Sequence, residues 1–214
     1  LEFKFNVMQY GALDDKFAYN EFKTLIDKFN VKKIYETGTY LGWSALKLSE
    51  FNLPVYTIEI NPDNIGQIQN NLKDKKNVET FLGKSEEILD SLCSINEQNS
   101  LFFLDAHWGK NLPILDELEI IKKTKDPIII IHDFFVPGGD KIRSNKFNGY
   151  GIVDDMSGSK FGFDAYGEIT LNYDYIKNKL DEIYPDGYDY HYTTEIDCVD
   201  SGLIYIYPKI NKII

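Results

Sequence analysis

Apolar positions along the chain alternate between two spacings. At Phe22, Leu25, Ile26 and Phe29 they recur with helical period, whereas Ile34 and Tyr35 open a short extended run that ends at the acid Glu36. A turn containing Gly38 and Gly42 follows, then a helix carrying Trp43, Ala45, Leu46 and Leu48. The same alternation continues with a β-branched and aromatic strand at 55–60, which carries Glu59 near its end. Asn61 and Pro62 then start a helix, with proline at its first position and Ile65, Ile68 and Leu72 on one face. A short strand at 78–82 precedes a helix holding Ile88, Leu89 and Leu92, for which Ser85 is the expected N-cap. Residues 101–104 and 128–131 are wholly apolar, as central parallel strands buried on both faces should be. Between them lies a helix at 113–122. After a further helix at 171–184, the runs 188–196 and 202–207 predict an antiparallel pair. Residues 1–20 show no clean period and predict a loop.

This order predicts an α/β fold: a doubly wound, mostly parallel seven-stranded Rossmann-like sheet with a C-terminal antiparallel hairpin, in a single domain over 1–214. Ligands of such sheets bind beyond the carboxyl ends of the strands, where Glu36, Glu59, Asp105, His107, His132 and Asp133 all fall. Residues 134–168 break the alternation with glycines mixed among aromatic and charged residues, and predict an acceptor-site loop over that edge.

Charge narrows the partners. With 34 acidic against 23 basic side chains the formal net charge is −11, which repels a phosphate backbone, so no nucleic acid is expected. No run of 18 apolar residues exists and charges run through the first thirty, so neither a membrane partner nor a secretory signal is expected. Cys93 and Cys198 form no metal-type spacing, which suits a reduced, cytoplasmic setting. Leu1 opens the chain and leaves room for residues upstream; an oligomer is compatible with the sequence.

The glycine turn carries the first candidate chemistry. A dinucleotide fingerprint spaces its glycines so that a pyrophosphate can approach the backbone, whereas here Thr39, Tyr40 and Leu41 fill the interval. The spacing suits a ligand with an amino-acid end and a nucleoside end but no phosphates, which describes S-adenosylmethionine. Glu59 lies about 20 residues beyond the turn, the offset at which a carboxylate can accept ribose hydroxyls. Taken singly, the loop also reads as a plain turn, Glu59 as a solvated strand end and Ser85 as a helix cap.

Four stretches in order, YETGTYLGWSAL, YTIEINPDN, NVETFLGKSEEIL and LFFLDAHW, resemble the class I S-adenosylmethionine-dependent methyltransferases, in particular the catechol and caffeoyl-CoA O-methyltransferase group. The resemblance runs from Ile34 to about Gly138. It implies a cofactor loop from Glu36 to Gly42, with Gly38, Tyr40 and Ser44 at the methionine end and Glu59 on the ribose. Ser85 and Glu86 would approach the adenine, flanked by His107 and Trp108. Asp105 would bind both the cofactor side and a divalent cation such as Mg2+, with Asp133 a second metal ligand. The sequence departs from the group where His132-Asp133 replaces an Asp-Asn pair, and where Ala106 and Gly109 interrupt an Asp-His-Trp-Lys run. His132 therefore stands as a metal ligand, a base or a core residue, and Lys110 or His107 as the group that takes a proton. The implied activity is metal-assisted O-methylation of a small hydroxylated acceptor. Two rival readings are a catalytically impaired cofactor-binding protein and an NAD-dependent dehydrogenase.

Overall fold

Strands buried on both faces at the centre and more exposed toward one edge decide the layering. In the computed structural model, which describes residues 11–107, 112–137, 169–196 and 202–210, these are β1 (Lys33–Thr37), β2 (Val55–Glu59), β3 (Val78–Leu82), β4 (Ser100–Leu104) and β5 (Ile128–Ile131). All five are parallel. They join β6 (Tyr188–Tyr192) and β7 (Ile204–Pro208) in one seven-stranded sheet of order β3-β2-β1-β4-β5-β7-β6. β7 is antiparallel to both of its neighbours, which gives the expected terminal hairpin.

Alternation along the central strands divides the core in two. Tyr35, Phe102, Leu104, Ile129 and Ile131 face α4 (Ser85–Leu92), α5 (Ile114–Ile121) and α6 (Tyr173–Ile183). Ile34, Leu101, Phe103, Ile128 and Ile130 belong to the opposite cluster, packed with α1 (Lys16–Phe29) and with Leu48 of α2 (Trp43–Leu48). Ala45 of α2 packs on Ile68 and Leu72 of α3 (Ile65–Leu72). Each fully buried Leu, Ile or Phe contributes roughly 1.5–3 kcal/mol by leaving water. The double burial explains why β4 and β5 read as unbroken apolar runs.

Two local expectations are corrected. Residues 16–20 belong to a helix and not to a loop: α1 begins at Lys16, with the Asp15 carboxylate accepting hydrogen bonds from the amides of Phe17 (2.9 Å) and Ala18 (3.2 Å). Lys16 and Asn20 are exposed, so the first turn dilutes the apolar period that marks the rest of the helix. Ser85 does not cap α4. It is the first helical residue and is buried, and Lys84 occupies the cap position with no side-chain bond. No helix among the described residues is long and apolar enough to cross a membrane.

Candidate active site at the carboxyl edge

Strand register lines up the functional side chains. Thr37 pairs with Ile58 on one side and Leu104 on the other, and Leu104 pairs with Ile131. One residue further along, the row reads Glu59, Gly38, Asp105 and His132. Backbone bonds carry the pairing into this row: Asp105 donates to the Thr37 carbonyl (3.1 Å) and His132 to the Leu104 carbonyl (3.0 Å). The row spans the point where strand order reverses between β1 and β4, the usual ligand crevice of an open α/β sheet.

Gly38 makes the close packing there feasible. Its φ is +82°, and a Cβ on it would lie 2.4 Å from the Asp105 carbonyl oxygen, so only glycine lets the β1 turn rest on the end of β4. The turn itself is closed on internal partners. Gly38 and Thr39 both donate to the Ile58 carbonyl (3.0 and 3.1 Å), Gly42 to the Thr39 carbonyl (2.8 Å), and Tyr40 to Glu59 Oε2 (2.6 Å). These amides are not available to a phosphate. Tyr40 takes a left-handed conformation (φ 51°) that holds its ring outward, 59 % exposed, on the rim of the cleft.

The cleft measures about 480 Å3. Of the residues singled out from sequence, Gly38, Tyr40, Glu59, Ser85, Asp105 and His107 line it, as do His132 and Asp133. Glu36, Gly42, Ser44 and Glu86 do not; Gly42 caps α2, and Ser44 packs under Gly11. Trp108 and Lys110 lie outside the described residues. Asn61, Asn64, Gly83 and the apolar Ile58 and Ile60 complete the walls. The two carboxylate oxygens of the buried Glu59 are oriented by separate amides, Oε2 by Tyr40 and Oε1 by Asn61 (2.7 Å).

At the other end of the cleft, Asp105, His107 and Asp133 each offer one ligand atom, all within 4.8 Å of one another. His107 Nε2 stands 3.5 Å from Asp133 Oδ2. His132 sits behind this group, its Nδ1 2.7 Å from Asp105 Oδ1 and 3.7 Å from Asp133 Oδ1, and its Nε2 is buried. Asp133 itself is left-handed (φ 52°), a strained conformation for a residue other than glycine that costs roughly 1–3 kcal/mol. Burial raises the Asp105 pKa, and the adjacent His132 holds that rise back. For His107, burial alone would lower the pKa, but the hydrogen bond and charge of Asp133, with Asp105 beyond, raise it overall; the ring is 42 % exposed, so the carboxylates set the direction.

Two buried acids, Glu36 and Glu117, lie near Asp105. Burial pushes the Glu36 carboxyl up to about 8, although the Thr57 hydroxyl donates to its Oε2 (2.6 Å) and lowers it in part. Burial likewise pushes Glu117 on α5 up to about 7, against the Ser85 and Thr37 hydroxyls. The sequence reading passed over Glu117. Its signal is an acid inside an apolar stripe, three residues after Ile114 and four before Ile121.

No protein-family model matches this chain, and neither does any curated protein. Solved structures do. An O-methyltransferase from Bacillus cereus in complex with S-adenosylhomocysteine is 17% identical at a TM-score of 0.58, over 91% of this chain and 81% of its own. A candidate caffeoyl-CoA O-methyltransferase from Staphylococcus aureus is 21% identical at a TM-score of 0.57, over 90% and 84%. The O-methyltransferase TomG from Streptomyces achromogenes, in complex with S-adenosylmethionine, is 16% identical at a TM-score of 0.54, over 88% and 78%. At these identities the likeness is one of architecture, and the chain has the fold of the class I S-adenosylmethionine-dependent methyltransferases.

Proposed function

We propose that the protein is an S-adenosylmethionine-dependent methyltransferase that methylates a hydroxyl oxygen of a small acceptor with the help of a divalent cation. The observation that carries the cofactor reading is the closed glycine turn beside an oriented acid: the amides of Gly38, Thr39, Tyr40 and Gly42 have internal partners, while Glu59 lines the cleft. A pyrophosphate requires open amides at such a turn, and a nucleoside without phosphates does not. Each Glu59 oxygen accepts one amide and keeps a lone pair for one ribose hydroxyl. Ile58 and Ile60 give the cleft apolar walls, and its volume falls within the roughly 300–1,000 Å3 of small-molecule sites.

Bound S-adenosylmethionine supplies an electrophilic methyl group on its sulfonium. The residues at the β4 and β5 ends have the donor chemistry of a cation site, with Asp105 and Asp133 as ligands and His132 orienting Asp105. A cation there supplies Lewis acidity that lowers the pKa of an acceptor hydroxyl. The chain's own part is positioning: the row from Glu59 to Asp105 spans cofactor and acceptor sides of one cleft, and orientation of this kind contributes several kcal/mol to a displacement. The buried Nε2 of His132 suits a residue that holds Asp105 rather than one that takes a substrate proton. We assign that proton to Lys110 on the family resemblance. Residues 134–168 are the proposed acceptor-side loop on their sequence; 138–168 lie outside the described residues.

A calorimetric titration with S-adenosylhomocysteine and with NAD tests the cofactor. S-adenosylhomocysteine should bind and NAD should not. Glu59→Ala should weaken S-adenosylhomocysteine by roughly 1.5–3 kcal/mol, the worth of hydrogen bonds to a charged group, or about ten- to a hundredfold. Tighter binding of NAD, or an unchanged affinity in the variant, would overturn the assignment.

A further inference from the structure

We infer that His107 is the third protein ligand of the cation, beside Asp105 and Asp133, and that this mixed donor set takes a borderline transition ion of the cobalt or zinc kind in preference to magnesium or calcium. The inference rests on the metal-assisted reading above. Two imidazoles compete for the role. His132 follows β5 directly and sits next to Asp133 in sequence, yet its Nδ1 is 2.7 Å from Asp105 Oδ1, the geometry of a partner that orients a ligand. His107 lies in the cleft, and its Nε2 stands 3.5 Å from Asp133 Oδ2, whereas His132 Nδ1 faces Asp133 Oδ1. With His107, the three donor atoms all fall within 4.8 Å of one another, which leaves His132 to its bond with Asp105.

Ligand chemistry then selects the ion. Magnesium and calcium prefer all-oxygen surroundings, and magnesium gives up its water reluctantly. A neutral imidazole nitrogen instead favours later first-row divalent ions, whose affinities rise from manganese through cobalt and nickel to copper. Three protein donors also leave positions open, so an acceptor oxygen can join the shell. In this arrangement His107 is a ligand, and it does not take the acceptor's proton.

The test uses the full chain stripped of metal, titrated with Co2+ and followed by its visible absorption, with Mg2+ and Zn2+ added as competitors. Binding of S-adenosylhomocysteine to each variant, by calorimetry, serves as the fold control. Co2+ and Zn2+ should bind at least about tenfold more tightly than Mg2+, and His107→Ala should weaken Co2+ by about tenfold or more. His107→Asp, which restores an all-oxygen set, should move the preference back toward Mg2+. Equal affinity for Mg2+ and Co2+, or Co2+ binding indifferent to both substitutions, overturns the inference but leaves a metal-assisted enzyme. Absence of any divalent binding while S-adenosylhomocysteine still binds overturns this inference and the metal role together, and leaves the cofactor reading standing. Co2+ binding through His107 without S-adenosylhomocysteine binding supports the metal assignment and removes the methyltransferase reading.

Discussion

Among single residues, Glu36 carries an electrostatic consequence that stability measurements can read. Its carboxyl is fully buried, one oxygen has no hydrogen-bond partner, and its pKa rises from 4.5 to about 8 through burial. Between those values the folded chain keeps a proton that the unfolded chain has released. The favourable contribution is therefore complete below about 4.5 and is lost as pH rises toward about 8. Glu117 behaves alike over a narrower window that closes near 7. Glu36→Gln keeps an oxygen for the Thr57 hydroxyl and removes the titration. Urea unfolding from about pH 5 to pH 9 should show the wild type losing stability that the variant retains, with the gap still widening above about pH 7, where Glu117 has finished. Parallel curves would mean that Glu36 ionises normally inside the fold.

At the level of elements, the site depends on the β1 turn lying flat against the end of β4. Gly38→Ala would force its Cβ to 2.4 Å from the Asp105 carbonyl oxygen at a φ of +82°, so the turn, β4 or both must shift. The left-handed backbone alone costs roughly 1–2 kcal/mol for alanine. Because Asp105 moves with that clash, stability, S-adenosylhomocysteine affinity and cation affinity should all fall together. Gly66→Ala is the matched control: within α3 a Cβ meets nothing inside 4 Å, and helix propensity predicts a gain of up to about 1 kcal/mol. A Gly38→Ala protein as stable as the wild type and equally able to bind would show that the turn can rest elsewhere. Legibility also differed between elements. The helix stripes and apolar strands were readable, because burial repeats at 3.6 or 2 residues. The first turn of α1 was not, because Lys16 and Asn20 face water and only the Asp15 cap, visible in the structure, marks the start.

For the whole molecule, the proposed ligands fall on different strands: cofactor groups on β1 and β2, cation ligands after β4 and β5. Their binding should be separable. At a hundred times its dissociation constant, a ligand that binds only the folded state adds about 2.7 kcal/mol. For a chain of this length that corresponds to a rise in Tm of about 5–10 °C. Thermal unfolding with S-adenosylhomocysteine, with and without an excess of chelator, should give the same rise in both cases, while turnover requires the metal. A chelator that removed the cofactor's stabilisation would show that the cation is part of the cofactor site.

The order of the elements, the double burial of β4 and β5, and the placing of acids at strand ends were determined by the sequence alone, because each follows from local spacing and from side chains that must leave water. Glu59 was legible as an acid at the end of β2, and the structure puts it in the wall of the cleft. The tertiary structure alone decided how those ends meet. It gathered His107 with Asp105 and Asp133 and set His132 against Asp105, closed the turn's amides on Ile58, Thr39 and Glu59, and buried Glu117 near Asp105. These outcomes depend on register across β2, β1, β4 and β5 and on the positive φ angles at Tyr40 and Asp133. Both are relations between distant segments or strained single residues, and the spacing of apolar and polar positions along one chain carries no term for either.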